Sequence, residues 1–339
     1  MNNYRFELNG NDITDYILNF NYSENLKDVA SSFDFVSIMD LGLIKEDTIN
    51  IIDVIDVATG DNAYHGYALE VEHQQDANLF KYSGFDAGYY LNNNQIVKQA
   101  RNDCIKDFII TICNENDINL NKKTEKGEDV IKIPEFTSKI AKMYKGENLG
   151  DVLKELLEHE KKYGSVKDAY IDCKHGYLDF PQYEQETDLQ TIVANNIKVD
   201  SNSTLKDVSV KRSIAELKTC IAYTTNDDKD ESKKIFPEDY KTNEYCKKYG
   251  VLTSVEKVES LNASDLKKTA NEKIRELRVE KQHIELSLLG NYKYQKGKYI
   301  RLSISEYDVD SDFLISNISH SITQSKEVIK MNFDRYVKL

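Results

Sequence analysis

The sequence predicts a fold of the α+β class that is mainly β, and three observations predict it. Short segments alternating apolar and polar side chains fill the first 95 residues and recur from about residue 196 to the end. Between them the apolar period changes to three and four, the spacing of one helical face. Clusters of Gly, Asn and Asp punctuate the β-type segments as turns do.

Taken in order, Tyr4–Leu8 alternates and runs into Asn9-Gly10-Asn11-Asp12, a hairpin signal. Residues 33–38 alternate again, and 49–57 lead through the turn Thr59-Gly60-Asp61-Asn62 into a returning strand at 63–72. Short strands so closely spaced make a small antiparallel sandwich or barrel. Next, Val97, Ala100, Cys104, Ile105, Phe108, Ile109 and Ile112 recur three and four apart and predict one helix. After a polar stretch at 114–129, Leu149, Val152, Leu153, Leu156 and Leu157 predict a second helix, ending at Gly164 in a left-handed cap. Residues 170–173 and 177–180 face each other as a hairpin across His175-Gly176. Strands return at 208–212 and 219–223, and the most polar run, 226–234, is expected to be a loop tip. Ser264 is placed to cap a helix whose apolar face is Leu266, Ala270, Ile274 and Leu277. Strands at 283–289 and 299–305, with two more near 312–323 and 327–335, close the chain. The expected order is a β unit over 1–95, completed by strands from about 168–205, an α+β insert over 96–195, and a second β unit over 196–339 with one helix near 264–280.

The 339 residues, 40% hydrophobic and 30% charged, suit a globular protein of two or three domains. Acidic residues outnumber basic ones by 58 to 45, a net charge of −13 that repels phosphate backbones. Basic residues gather only in pairs such as Lys247-Lys248 and Lys267-Lys268, so no sequence-specific nucleic-acid partner is expected. No window approaches the roughly 20 apolar residues of a membrane span, and the first residues lack a secretory pattern. The chain is therefore expected to be made in the cytosol without membrane insertion. Cys104, Cys113, Cys173, Cys220 and Cys246 are odd in number and include no C-x-x-C spacing, which fits buried thiols.

Motifs that carry chemistry fail on detail. Asp308-Val309-Asp310-Ser311-Asp312 begins like a calcium loop, but Phe313 stands where the sharp turn needs glycine and Ser319 where the bidentate glutamate belongs. Gly297-Lys298 lacks the phosphate-loop spacing, since Gly290 is seven residues earlier and Tyr299 replaces the Ser or Thr. His65, His73, His159, His175, His283 and His320 show no zinc-ligand spacing. In Ser319-His320-Ser321, strand alternation sends both serines to the face opposite the histidine. There is no G-x-S-x-G. The sequence nominates no catalytic, cofactor-binding or metal-binding residue, and the chain is expected not to be an enzyme.

Three C-terminal features together resemble a known family. They are Lys248-Tyr249-Gly250-Val251-Leu252 leading to the helix from 264; Leu288-Leu289-Gly290 followed by Lys296-Gly297-Lys298-Tyr299-Ile300; and residues 314–321, a strand carrying His320 before the last hairpin. Upstream, residues 85–94, an aromatic stretch, and 192–197 with Lys206-Asp207-Val208 fall in the same order. The chain resembles the late control protein D family of phage tail baseplate hubs, in the form carried by prophages of Gram-positive hosts. The resemblance implies two tube-protein-like antiparallel β-barrels, at 1–95 and 196–339, with the insert between them. It implies a homotrimer whose six barrels surround a channel and meet the tail tube or a tube-initiator ring, with the central spike on the other side. Tape measure and baseplate wedge proteins would be neighbours, in the tail baseplate of a phage or of a DNA-free contractile bacteriocin assembled in the host cytoplasm. A wall of acidic sign would not grip passing DNA. Two other functions compete: a tail-associated cell-wall hydrolase, which needs a catalytic constellation on a separate domain, and a carbohydrate-binding module, for which the 22 tyrosines could supply exposed rings.

Overall fold

The computed structural model describes residues 3–42, 50–75, 78–123, 129–131, 133–183, 192–193, 205–225, 244–258, 273–274, 277–290 and 292–338. The loop tip expected at 226–234 and most of the helix expected near 264–280 lie outside them. The chain divides into a large unit, Met1–Val208 with Leu286–Phe333, and a small unit, Ser209–Glu285 with Asp334–Leu339.

The large unit starts with β1 (Tyr4–Leu8), β2 (Asn11–Asp12), β3 (Ile17–Asn25), β4 (Ser32–Ser37), β5 (Asn50–Asp56), β6 (Asn62–Gln74) and β7 (Leu79–Phe85). The helix α1 (Gly88–Asn93) leads to β8 (Gln95–Cys104), α2 (Ile105–Glu115), β9 (Asn121–Lys123), β10 (Asp129–Ile131), β11 (Lys139–Asn148) and α3 (Leu149–Tyr163). After β12 (Ile192–Val193) the chain forms β13 (Leu205–Ser213), β14 (Cys220–Thr225), α4 (Glu244–Tyr249) and β15 (Thr253–Val258). It ends with β16 (Val279–Leu289), β17 (Tyr299–Ile304), β18 (Val309–Leu314), β19 (Asn317–Ile322) and β20 (Glu327–Lys338). The fold is α+β and mainly β, as the sequence predicts.

The main sheet of the large unit runs β20-β19-β3-β4-β7-β6-β5-β1-β2, with antiparallel neighbours along β19 to β2. Alternation sends one side of every strand into an aromatic core. The Phe20 ring stacks on Phe33 at 5.4 Å and meets Phe6 at 5.9 Å and Tyr64 at 5.6 Å, all of them buried. Burying each such ring stabilises by about 2–3 kcal/mol. Gly84 is dictated by a close approach, because a Cβ there would lie 1.9 Å from the Tyr67 carbonyl oxygen beside a register shift in β6.

A second core joins α2, α3, β8, β11 and the segment 166–180. The single helix expected from Val97 to Ile112 is a strand followed by a helix, the change falling at Ile105. In β8, Asn102 takes a left-handed φ of 65° at a register shift against β11. That extra residue breaks the period of two and leaves spacings that imitate a helix. The predicted second helix is α3, but Gly164 has φ −100°, not the left-handed cap expected. The hairpin expected at 170–180 forms through the antiparallel bridges Ala169↔Gln182 and Asp172↔Asp179, with Gly176 at φ +82° in its turn. A further sheet of the large unit, β12-β17-β18, holds the acidic segment 308–312: Asp308 turns at φ 53°, and Arg301 pairs with Asp310 (3.0 Å) and Asp312 (3.4 Å).

In the small unit, β14 and β15 are parallel and α4 precedes β15. Leu217, Ile221, Ala222, Tyr223, Ile274 and Ile284 are buried there. Thr219 braces the joint: its hydroxyl donates to the Gly250 carbonyl (2.9 Å) and accepts from the Leu252 amide (2.8 Å).

Candidate functional site

The two faces of the main sheet in the large unit differ sharply, and the strand register explains how. On the face away from the aromatic core, cross-strand partners line up as Lys330, Ser319, Ser23 and Ser32, and beside them as Val328, Ser321, Asn21, Asp34 and Ser83. Ser23 and Ser32 hydroxyls lie 3.0 Å apart, Asn21 donates to Asp34 at 3.1 Å, and Ser83 donates to Glu70 at 3.3 Å. These side chains line a shallow depression of about 560 Å³. Its wall is mostly short hydroxyls and amides, with Asp34, Lys81 and Lys330 as its charged members. Such a face offers hydrogen bonds to water without a dense field of either sign.

Beneath this face lies a cluster of buried ionisable groups: Glu24, Asp86, Asp172, Lys174, Lys296, His320 and Glu327. Strand phase puts Glu24 on the core side of β3, alongside Phe20 and Tyr22, and puts His320 on the core side of β19 between Ser319 and Ser321. Lys174 comes from the hairpin and Lys296 from the loop before β17. Lys174 Nζ donates to Glu24 Oε1 at 3.4 Å, and His320 Nε2 is 3.8 Å from the same oxygen. On its other side His320 Nδ1 hydrogen-bonds Glu327, which also accepts from the Tyr4 hydroxyl. The Tyr22 ring stacks on His320 at 4.2 Å with planes 2° apart. Lys296 Nζ faces Asp172 Oδ1 at 3.7 Å. Burial would penalise Lys296, but Asp172, Glu24 and Asp86 outweigh it and hold its ammonium above the usual range.

This cluster superficially has the parts of an acid–base site. Its side chains are closed off from solvent, so no substrate reaches them, and the arrangement is suited to fastening strands and hairpin together. Among the described residues no three His, Cys, Asp or Glu side chains converge as metal ligands, and no helix is long and apolar enough to cross a membrane. The other histidines are scattered: His65 contacts Asp53 at 2.7 Å, and His283 of the small unit contacts Asp334 at 2.8 Å. Gly297, at φ +84° with Tyr170 against it, is a turn residue as expected.

Asp86 makes the cluster pH-sensitive. Burial pushes its carboxyl up from 3.8 to about 7, Asp172 adds to the rise, and Lys296 and the Gly88 and Ser31 amides oppose it. A raised folded pKa favours the protonated carboxyl, so this group's contribution is full below about pH 4 and is lost as pH rises through about 7. Asp86→Asn keeps an acceptor for the Gly88 amide, 2.9 Å away, without the charge. Relative to the parent it should gain about 2 kcal/mol between pH 5 and pH 8. Urea unfolding at both pH values checks this, and an identical difference at the two would refute it.

No curated protein sequence matches the chain. Solved structures do resemble it in fold. The tail protein from Neisseria meningitidis superposes with a TM-score of 0.63 at 13% identity, covering 98% of this chain and 96% of that one. The 43 kDa tail protein of prophage MuSo2 from Shewanella oneidensis gives 0.63 at 12% identity, over 97% of each chain. An E. coli component of the type VI secretion system, described as similar to the T4 bacteriophage tail proteins gp27 and gp5, gives 0.51 at 10% identity over 99% and 77%. The YQBQ-like family matches residues 20–334, which takes in the polar face and every member of the buried cluster. This protein belongs to the YQBQ-like family.

Proposed function

We propose that the chain is a structural hub subunit of a phage-type tail baseplate, trimerising to join the tail tube to the central spike and to line the channel between them. The observation that carries the proposal is the likeness in fold, along nearly the full length of both chains, to two tail proteins, one of them from a prophage. The Ser- and Asn-rich face of the main sheet supports the channel role, as a polar wall whose few charges, Asp34, Lys81 and Lys330, are of mixed sign would let a charged polymer slide past. In this reading the lack of grip comes from neutrality more than from the acidic excess of the whole chain. Two tube-protein-like barrels per subunit, over 1–95 and 196–339, would let three copies present six similar elements to a sixfold tube. The second barrel of that scheme rests on the family resemblance alone, and residues 286–333 of its stretch belong to the large unit.

Enzymatic activity forms no part of this proposal, and a lysis band in a peptidoglycan zymogram would count against it. The main test is mass in solution. The expected particle is about three times 39.1 kDa, alone or once the tail tube and spike proteins are added. A chain that stays monomeric with both partners present would refute the hub role.

A further inference from the structure

The small unit holds two thiols in contact. Cys220 at the start of β14 and Cys246 in the middle of α4 place their sulfurs 3.1 Å apart, both buried. They are 26 residues apart in sequence, in no recognisable cysteine motif. We propose that Cys220 and Cys246 are a thiol pair that closes to a disulfide when the protein meets an oxidising small-molecule disulfide, tying α4 to β14.

The geometry is close to what the bond requires. A disulfide has its sulfurs about 2.05 Å apart, so the pair must close by roughly 1 Å, a shift that side-chain rotation can supply. The surrounding backbone is already braced. Thr219, next to Cys220, binds the Gly250 and Leu252 backbone just beyond α4, its own amide donates to the Leu252 carbonyl at 2.8 Å, and the Gly250 amide donates to the Cys246 carbonyl at 3.0 Å. Arg278 adds a bond to the Thr219 carbonyl at 3.1 Å and lies over the Tyr245 ring at 4.5 Å. Strand and helix therefore meet at a fixed joint whether or not the sulfurs are bonded.

Exposure sets the order of events. Cys246 is 8% exposed and Cys220 1%, so the oxidant reaches Cys246 first. As a thiolate, Cys246 attacks one sulfur of glutathione disulfide, giving a mixed disulfide and releasing one glutathione thiolate. Cys220 loses its proton to solvent, attacks the Cys246 sulfur and releases the second glutathione. Two protein thiols thereby give up two electrons and two protons, and the oxidant's sulfur–sulfur bond takes up the electrons. Burial, reinforced by the hydrogen bond to Cys246, pushes the Cys220 thiol up to about 11. Cys220 thiolate is scarce at neutral pH as a result, which slows the second attack and so closure of the pair.

The test uses the full chain incubated with glutathione disulfide at pH 7.5 and pH 9, then denatured in acid for thiol counting and non-reducing peptide mapping. The expected result is a fall from five thiols to three, a linked peptide joining Cys220 to Cys246, and faster closure at pH 9. Closing a 27-residue loop should also raise the melting temperature of the oxidised protein by several degrees, roughly 5–10 °C, and a reductant should reverse it. In Cys220→Ala and Cys246→Ala the oxidant should produce neither the linked peptide nor the shift. Five remaining thiols, two separate glutathione adducts, or a link between other cysteines would each overturn the proposal.

Discussion

Lys174→Ala should destabilise the large unit by about 3–5 kcal/mol, the cost of leaving a buried charge without its partner. Lys174 and Glu24 both have fully buried side chains, and the ammonium stands 3.4 Å from Glu24 Oε1. Glu24 Oε2 has no hydrogen-bond partner, and the His320 ring nitrogen Nε2 lies 3.8 Å from Oε1. Once Lys174 is truncated the carboxylate must take up a proton or draw water into the core, and either costs free energy. The companion variant Lys174→Met with Glu24→Gln removes both charges at similar volume and should recover most of the loss, because a buried ion pair is hardly better than a well-packed neutral one. Urea unfolding of Lys174→Met, Glu24→Gln and the double variant closes a mutant cycle. Losses that simply add would show that the two side chains act independently. Raising the salt should change little, since water does not reach the pair. Glu155→Ala is the contrast: it breaks a pair with Lys142 whose members are 43% and 41% exposed, and should cost under about 1 kcal/mol.

The same cluster marks where the sequence stops being legible. Alternation placed β1, β5, β6 and β17 within a residue or two, because each presents a clean apolar face. It gives no strand at β3 or β7, both inside the sheet, because exposed Leu18 and Phe85 break the alternation outward and the inward positions include Glu24 and Gly84. Polar inward residues hide a strand from any hydrophobic pattern. The phase of Tyr22-Ser23-Glu24 and of Ser319-His320-Ser321 does point Glu24 and His320 into the core, so two of the cluster's seven members are legible in the sequence. Lys174, 150 residues from Glu24, is not, since only the folded chain brings the two together. The polar face was hidden for a related reason. Its Ser and Asn residues look like ordinary surface one strand at a time, and the rows exist only once the register is known. The thiol pair likewise follows no spacing rule, because it joins a strand to a helix across 26 residues.

Glu160 is the second residue whose loss should be severe, and here a helix end is at stake. At the close of α3 its buried carboxylate accepts from the amides of Thr137 (3.1 Å), Ser138 (2.9 Å), Ser165 (2.8 Å) and Val166 (3.4 Å), and from the Ser138 hydroxyl. Burial alone would push the carboxyl up, but the bonds from Ser138, Thr137 and Val166 win and hold it down at about 2. A lowered folded pKa means that the stabilisation is present above about pH 4.5 and is lost as pH falls toward 2. Glu160→Ala strands several of these donors in the core and should cost about 3–4 kcal/mol, with the acid side of the stability profile flattened. The helix also explains Gly164, whose φ of −100° any residue can adopt. A Cβ at 164 would sit 1.9 Å from Glu160 Oε1, so it is the carboxylate that requires glycine there. Gly164→Ala should therefore cost about 2–4 kcal/mol in the parent chain and almost nothing once Glu160 is alanine. Urea unfolding of the two single variants and the double variant measures that coupling. An equal cost for Gly164→Ala in both backgrounds would mean that something other than the Glu160 carboxylate fixes the end of α3.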